Sequence, residues 1–460
     1  MAEFELASSD QPMSAAAPAA SPAAEIEERT SRWLPIFGST PPFTRRERRV
    51  FWISTSAGFF NQYDLALLSL ALKQIQSGLS IVERALSTTV SFIRFGYLLS
   101  LLLTPFADVF GRRRLLLYTV IGYTIFTGLS ALAPGARWFV ACQFCARALT
   151  GAEATVALVI VIEEVDAAYR GWSIGLLGAL ASCGYGLAAL AFASVNVIPY
   201  GWRGLYALAL LPLALIIPLR RVLPESQRFE RQQLAGVRPA NVLQPLIALV
   251  RAYPRRLAML LAVIFVLATG GAASGLYFSK FLQEEHQYRP GNVASLYILG
   301  GALGILGNIF SGRLSDRLGR KRMGAAFIAL ATLLQILVYS APGWVVIPAW
   351  IVGLFCDTAA GTILGAYSVE LFPTSYRSTA GSAQAVAGTT GGAIGLLIEG
   401  LLFRASGSHW SAVRYLLLIQ LIVPVVVVLF FPETAGRELE EISPEPAAVP
   451  NDGCCAGQLR

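Results

Sequence analysis

Apolar residues in this chain run together for about twenty positions at a time, separated by short clusters rich in arginine, glycine and proline. A strand alternates and a surface helix keeps one polar face; unbroken apolar runs of about 20 residues instead match the thickness of a lipid bilayer as helices. Lipid offers the backbone no hydrogen-bond partners, so the helix is the form such a run takes. Twelve runs are legible, at 50–72, 87–107, 115–133, 137–162, 171–193, 202–219, 257–279, 294–313, 323–341, 344–366, 379–401 and 412–431 (spans 1 to 12). The pattern predicts an all-α integral membrane protein with twelve transmembrane helices in two pseudo-symmetric six-helix bundles, 44–219 and 257–440. A polar cytoplasmic linker at 220–256 joins them. A disordered cytoplasmic arm precedes them at 1–43, and a disordered cytoplasmic tail follows at 441–460.

Composition agrees. A mean hydropathy of +0.59 with 14% charged residues leaves too little polar surface for a soluble fold of 460 residues. The net charge of +8 is concentrated at span ends: Arg45 to Arg49 before span 1, Arg112 to Arg114 after span 2, and Arg313 to Arg322 between spans 8 and 9. The positive-inside rule puts that side, with both termini, in the cytoplasm of a plasma (inner) membrane. Placement at span ends also argues against a nucleic-acid partner. The arm has no basic segment followed by a short apolar core, so it does not read as a cleaved signal. Six cysteines make no framework: Cys142 and Cys145 sit inside span 4, where small-residue packing is the simpler reading, and Cys454 and Cys455 lie in the tail.

Charged motifs occur twice at a nearly constant interval. Asp108-Val-Phe-Gly111-Arg112 returns 208 positions later as Asp316-Arg-Leu-Gly319-Arg320, Glu163 with Arg170 returns as Glu370 with Arg377, and Pro224-Glu225 returns as Pro432-Glu433. A parallel duplication of a six-span unit accounts for this, and in membrane proteins it points to a transporter with its site between the halves.

These residues resemble the major facilitator superfamily. Gly312-x3-Asp316-Arg-Leu-Gly319-Arg320-Lys-Arg322 is similar to its loop signature, and Arg147-x3-Gly151 to its span-4 signature. Glu163-x6-Arg170, Trp202-Arg203, Pro224-Glu225-Ser226, Glu370-x2-Pro373-Thr-x2-Arg377 and Pro432-Glu433-Thr434 look like its sugar-porter-like and metabolite:proton symporter branch. The resemblance implies the fold of that superfamily, alternating access, no enzymatic activity and a secondary transporter that works as a monomer. Sugar porters carry a glutamine pair in span 7, where this chain reads Ala268-Thr-Gly-Gly-Ala-Ala-Ser274, so the match to sugars is poor.

Charges at membrane depth cost several kcal/mol unless paired or wet. Asp64 lies about 14 residues into span 1, and at ~1.5 Å per residue that is roughly 21 Å deep. Arg147 and Arg94 map to the same layer. Asp64, with Arg147 and Arg94 facing it, is the expected proton-coupling group, as the resemblance to proton symporters implies; a permanent pair that only fixes packing is the alternative. Asn61, Gln62, Arg94, Tyr185, Tyr277, Asn308, Asp357 and Gln384 are expected to line a substrate cavity. Asp108, Arg112, Glu163, Arg170, Glu225, Asp316, Arg320, Glu370, Arg377 and Glu433 are expected to form cytoplasmic latches locking the halves together, paired as Arg112–Glu163–Glu225 and Arg320–Glu370–Glu433. His286 and His409 map to outer loops. No catalytic motif, nucleotide loop, cofactor or metal site is expected. The partners are then a small-molecule solute, protons and the bilayer. Two cavity arginines favour an organic anion taken up with protons. A sugar or polyol porter, a proton-antiport efflux carrier and a transport-silent nutrient sensor remain open.

Overall fold

The computed structural model describes residues 43–104, 106–107, 111–165, 169–211, 243–373 and 376–435. They form fifteen α-helices, and no strand occurs among the described residues. The first half contains α1 (Arg45–Leu70), α2 (Leu72–Gly78), α3 (Glu83–Leu103), α4 (Arg112–Ala131), α5 (Ala136–Glu164), α6 (Arg170–Ala193) and α7 (Trp202–Leu208). The second contains α8 (Leu243–Ala252), α9 (Pro254–Glu284), α10 (Pro290–Leu318), α11 (Arg320–Val338), α12 (Gly343–Glu370), α13 (Arg377–Ser406), α14 (His409–Gln420) and α15 (Ile422–Phe430). The described residues from Arg46 onward constitute one compact unit.

Ten described segments are long and apolar enough to cross a membrane. Spans 1 and 6 are not among them, for different reasons. Helix α1 has 26 residues but opens on Arg-Arg-Glu-Arg-Arg and carries Asn61, Gln62 and Asp64 in its interior. Span 6 is described only through residue 211. Span 1 also outruns the expected end at 72: after a single turn residue, Ala71, it continues as α2 to Gly78. The polar residues of α2 find partners there. Lys73 Nζ donates to the Gln283 carbonyl at 3.2 Å, and Gln74 Nε2 to Gln283 Oε1 at 2.6 Å.

The duplication is visible in packing. In the first half α3 and α4 both pack on α5; in the second α10 and α11 both pack on α12. Between the halves α3 meets α13 and α6 meets α10. Glycines mark equivalent close approaches. A Cβ on Gly96 would collide with the Phe144 carbonyl, and one on Gly307 with the Phe355 carbonyl, both pairs 211 positions apart. One on Gly184 would strike the Phe59 carbonyl, and one on Gly391 the Phe265 carbonyl. Small residues let membrane helices touch backbone to backbone, where dispersion contacts replace the missing hydrophobic drive. The repeated loop motif is also explained at this level. Gly111 and Gly319, 208 positions apart, hold φ of 96° and 98° before α4 and α11, a region that side-chain-bearing residues avoid.

The buried apolar residues divide unevenly. At the Arg-poor face one cluster draws on both halves, from Leu67, Leu72 and Phe192 to Phe278, Leu282 and Val413. Toward the Arg-rich face there are two clusters, one from the first half around Val50, Leu116 and Ile160, and one from the second around Leu260, Ile363 and Val427. The halves are thus sealed together at one face and have separate cores toward the other.

Because its Cβ would press on both the Phe144 carbonyl and the Arg147 side chain, Gly96→Ala is expected to cost about 1–3 kcal/mol. Gly301→Ala, with nothing within 4 Å, is expected to be neutral. Thermal unfolding of the purified protein in detergent checks this: the first variant melts several degrees lower, the second with wild type.

Candidate functional site

Between the halves lies a cleft of two adjoining lobes that share Tyr185, Gly271 and Gly275 in their walls. The first, about 450 Å³, is lined by Ser69, Arg94, Tyr97 and Arg147 of the first half and by Ala272, Gly388 and Thr389 of the second. The other, about 520 Å³, lies mostly against α10 and α12 and is lined by Gln62, Asn308, Gln335, Trp350 and Asp357 among others. Tyr185 stands at the junction. Its hydroxyl is 3.0 Å from Ser69 Oγ, and its ring stacks on Tyr297 of α10 with centroids 5.8 Å apart.

The charged groups sort into paired and unpaired. Asp64 is 1% exposed and fully engaged: Arg147 Nη1 donates to Oδ2 at 3.3 Å, Thr127 Oγ1 donates to Oδ1 at 2.9 Å, and Arg147 Nη2 donates to its backbone carbonyl at 3.4 Å. Arg147 Nη2 also reaches Gln143 Oε1 at 3.3 Å. The expectation of one Asp facing two Arg is corrected here. Equal depth does not fix the direction around the helix axis, and Arg94 points instead across the cleft, where a Cβ on Gly392 of α13 would lie 3.2 Å from its Nη1. Among the described residues no acid pairs with Arg94. Asp357, on the far lobe, is exposed to the cleft and has no partner among the described residues.

Other expected lining residues lie elsewhere. Asn61 is buried and donates its amide to the Thr150 carbonyl at 2.9 Å and to the Glu153 carboxyl. Tyr277 is fully buried, its hydroxyl 2.7 Å from Ser87 Oγ. Gln384 sits half-buried on α13, away from both lobes, with one amide nitrogen buried and unpartnered. Asn61 and Tyr277 face neighbouring helices, and their polarity serves packing contacts.

Tyr277 belongs to a polar cluster at the Arg-poor face that the sequence did not reveal. Lys280, 0% exposed, donates to Glu83 at 2.6 Å and lies 3.2 Å from Glu284. His409 Nδ1 is 2.7 Å from Glu399 Oε1 and its Nε2 is 3.2 Å from Glu83 Oε2, while Ser87 donates to Glu399. His409 is therefore not a loop residue. It opens α14, buried between carboxylates from α3 and α13. Ser279 Oγ donates to the Leu70 carbonyl at 2.6 Å and Ser91 Oγ to the Ala393 carbonyl at 2.7 Å, so hydrogen bonds tie the halves together at this face.

At the Arg-rich face, ion pairs join helices of the same half. Arg112 meets Glu163 at 3.0 Å and Arg46 meets Glu164 at 3.0 Å. Arg320 meets Glu370, and Asp316 at 3.1 Å. Glu433 accepts the backbone N–H of Arg320 at 2.7 Å and of Lys321 at 3.3 Å, a carboxylate at the positive end of α11. Arg377 donates to the Phe372 carbonyl at 3.3 Å. Of the two expected groupings, Arg112 with Glu163 and Arg320 with Glu370 and Glu433 are in contact, each within one half, and none of these contacts crosses between the halves. Asp108, Glu225 and the Arg170 side chain lie outside the described residues.

Similarity to known proteins decides the family. The chain matches the Major Facilitator Superfamily over residues 55–362 and 305–450. It belongs to that superfamily. A putative metabolite transport protein of Haemophilus influenzae is 25% identical, over 84% of this chain and 97% of its own length. A probable 4-methylmuconolactone transporter of Cupriavidus pinatubonensis is 24% identical (88% and 95%), and the niacin transporter NiaP of Acinetobacter baylyi 25% (87% and 97%). The inward-open xylose transporter XylE from E. coli shares the fold, with a TM-score of 0.67 at 18% identity over 86% of this chain and 99% of its own. This superfamily member is thus an integral membrane solute transporter and not an enzyme.

Removing one partner of a buried ion pair strands the other, at about 3–5 kcal/mol. Arg147→Ala is expected to lower the melting temperature in detergent by many degrees, because Asp64 keeps only Thr127. Arg94→Ala strands nothing and is expected to melt within a degree or two of wild type. Equal losses would contradict the sorting into paired and unpaired charge.

Proposed function

We propose that this transporter carries a small organic anion, a carboxylate, in symport with protons by alternating access. The observation that carries the reading is Arg94, a guanidinium at membrane depth that lines the cleft with no acid beside it among the described residues. A lone cation there is stabilised by whatever anion enters, and its planar fork suits a carboxylate. The names of two relatives support this: niacin and 4-methylmuconolactone are both carboxylate-bearing molecules. The scarcity of amide side chains around the lobes, Gln62, Asn308 and Gln335 being the ones present, weighs against the sugar or polyol reading, since sugars need many directional partners.

In this proposal Asp64 carries the proton. While ionised it neutralises Arg147. Protonation removes that charge and leaves Arg147, which lines the same lobe as Arg94, to hold the substrate carboxylate. Proton and anion then bind together or not at all, which is the requirement for coupling. The Arg-rich face is cytoplasmic in this scheme, with both termini on that side of the plasma membrane. The conformation described, sealed at the Arg-poor face, then opens inward. The ion pairs of Arg112 with Glu163 and of Arg320 with Glu370 hold the helix ends of each half rigid, and they exchange partners across the halves when that face closes.

Reconstitution in proteoliposomes tests the coupling. With benzoate or nicotinate outside and an imposed inward proton gradient, wild type is expected to accumulate label above equilibrium. Asp64→Asn is expected to lose accumulation while keeping exchange of internal for external label. Equal accumulation by both proteins would reject Asp64 as the proton carrier.

A further inference from the structure

The two lobes of the cleft are not alike, and the difference bears on what is carried. The lobe at Arg94 offers positive charge. The lobe at Asp357 offers acceptors. The Asp357 carboxylate is exposed to the cavity, and among the described residues nothing pairs with it. Gln335, on the same wall, has a buried side-chain oxygen with no hydrogen-bond partner. Two hydroxyls nearby are already committed, Thr358 donating to the Gly304 carbonyl at 2.8 Å and Thr362 to Asn308 Oδ1 at 2.8 Å, while that of Tyr297 is buried without a partner. Trp350 Nε1 is a buried donor without a partner, but a neutral N–H does not offset the full charge of Asp357. The same lobe is walled by the rings of Tyr185, Tyr297 and Trp350. Trp350 is itself held flat against Phe278, with centroids 3.5 Å apart.

Unpaired acceptors beside aromatic faces suit a donor or a cation. They disfavour a second anion, which would meet like charge. We propose that the solute carries opposite chemistry at its two ends: one carboxylate, held at Arg94, and an ammonium or N–H donor, held at Asp357 and Gln335. Dicarboxylates are rejected by the second lobe. This rests on the anion reading above and narrows it, since Arg94 alone would accept mono- and dicarboxylates equally. The two lobes adjoin at Tyr185, so one solute can contact both.

Four probes of one shape separate the possibilities: benzoate, 4-(aminomethyl)benzoate, terephthalate and benzylamine. Their binding to the purified full-length carrier in detergent is measured by competition against radiolabelled benzoate, with binding of radiolabelled benzylamine measured directly. Wild type is expected to bind 4-(aminomethyl)benzoate about tenfold more tightly than benzoate, and terephthalate about tenfold more weakly than benzoate. Asp357→Asn is expected to collapse both differences, and Gln335→Leu to narrow the first. Arg94→Gln is expected to weaken all three carboxylates together. Terephthalate bound by wild type as tightly as 4-(aminomethyl)benzoate overturns the proposal, and this order decides it even if Asp357→Asn does not fold. An order unchanged in Asp357→Asn also overturns it, while binding that still depends on Arg94 leaves the anion reading standing. If no carboxylate binds and benzylamine does, the anion reading fails and takes the proposal with it.

Discussion

A charge at membrane depth has three stable fates: pairing, a shared proton or hydrogen bond, or contact with water. The rest of this structure follows from how its charges divide among them. Asp64 and Arg147 are paired inside the first half, closed over by Thr127 and Gln143. Lys280, Glu83, His409 and Glu399 are paired across the halves at one face. Glu153, fully buried, has the Asn61 amide and no cation among the described residues. That leaves Arg94 and Asp357, which line the cleft. The paired groups hold helices together; the unpaired ones can be accommodated only because the cleft is there.

The same division gives the molecule its two unlike faces. At the Arg-poor face a single apolar core and a polar cluster join both repeats, so separating them exposes apolar surface and breaks buried ion pairs at once. At the Arg-rich face each repeat has its own core and its own ion pairs. A protein built from two copies of one unit can in principle seal either face, and the proposed transport cycle is the exchange of one seal for the other. Glycine contacts repeated in both halves, Gly96 with Phe144 and Gly307 with Phe355, keep each unit rigid within itself, as rocking requires.

Much of this was legible in the sequence. Ten of the twelve expected spans meet the length and hydropathy of a membrane helix. The Asp64 and Arg147 contact was legible as well, because depth follows from counting residues along a helix and both ends were marked by charged loops. Direction around the axis was not legible. It depends on helix rotation and on partners such as Thr150 for Asn61 and Ser87 for Tyr277, 89 and 190 positions away, so counting along the helix alone puts Arg94 opposite Asp64 and puts Asn61 and Tyr277 in the cavity. His409 was misplaced for a related reason: Gly407 and Ser408 signal a loop, but the helix begins one residue later and its first side chain turns inward to Glu399 and Glu83, the latter 326 positions away. The ion pairs at the Arg-rich face were legible as partners, Arg112 with Glu163 and Arg320 with Glu370, because each motif places its acid and its base at neighbouring helix ends of one copy.

The central claim is that the unpaired charges border an aqueous cleft reached from the Arg-rich face. Cys183 lines that cleft and is exposed within it, so it reports directly. In a variant with Cys454 and Cys455 replaced by serine, reaction with a membrane-impermeant thiol reagent can be timed in vesicles of each orientation. The account predicts labelling of Cys183 from the Arg-rich face, little from the other, and slowing by benzoate that disappears in Arg94→Gln. Labelling equally fast from both faces, or none from the Arg-rich face, would contradict it.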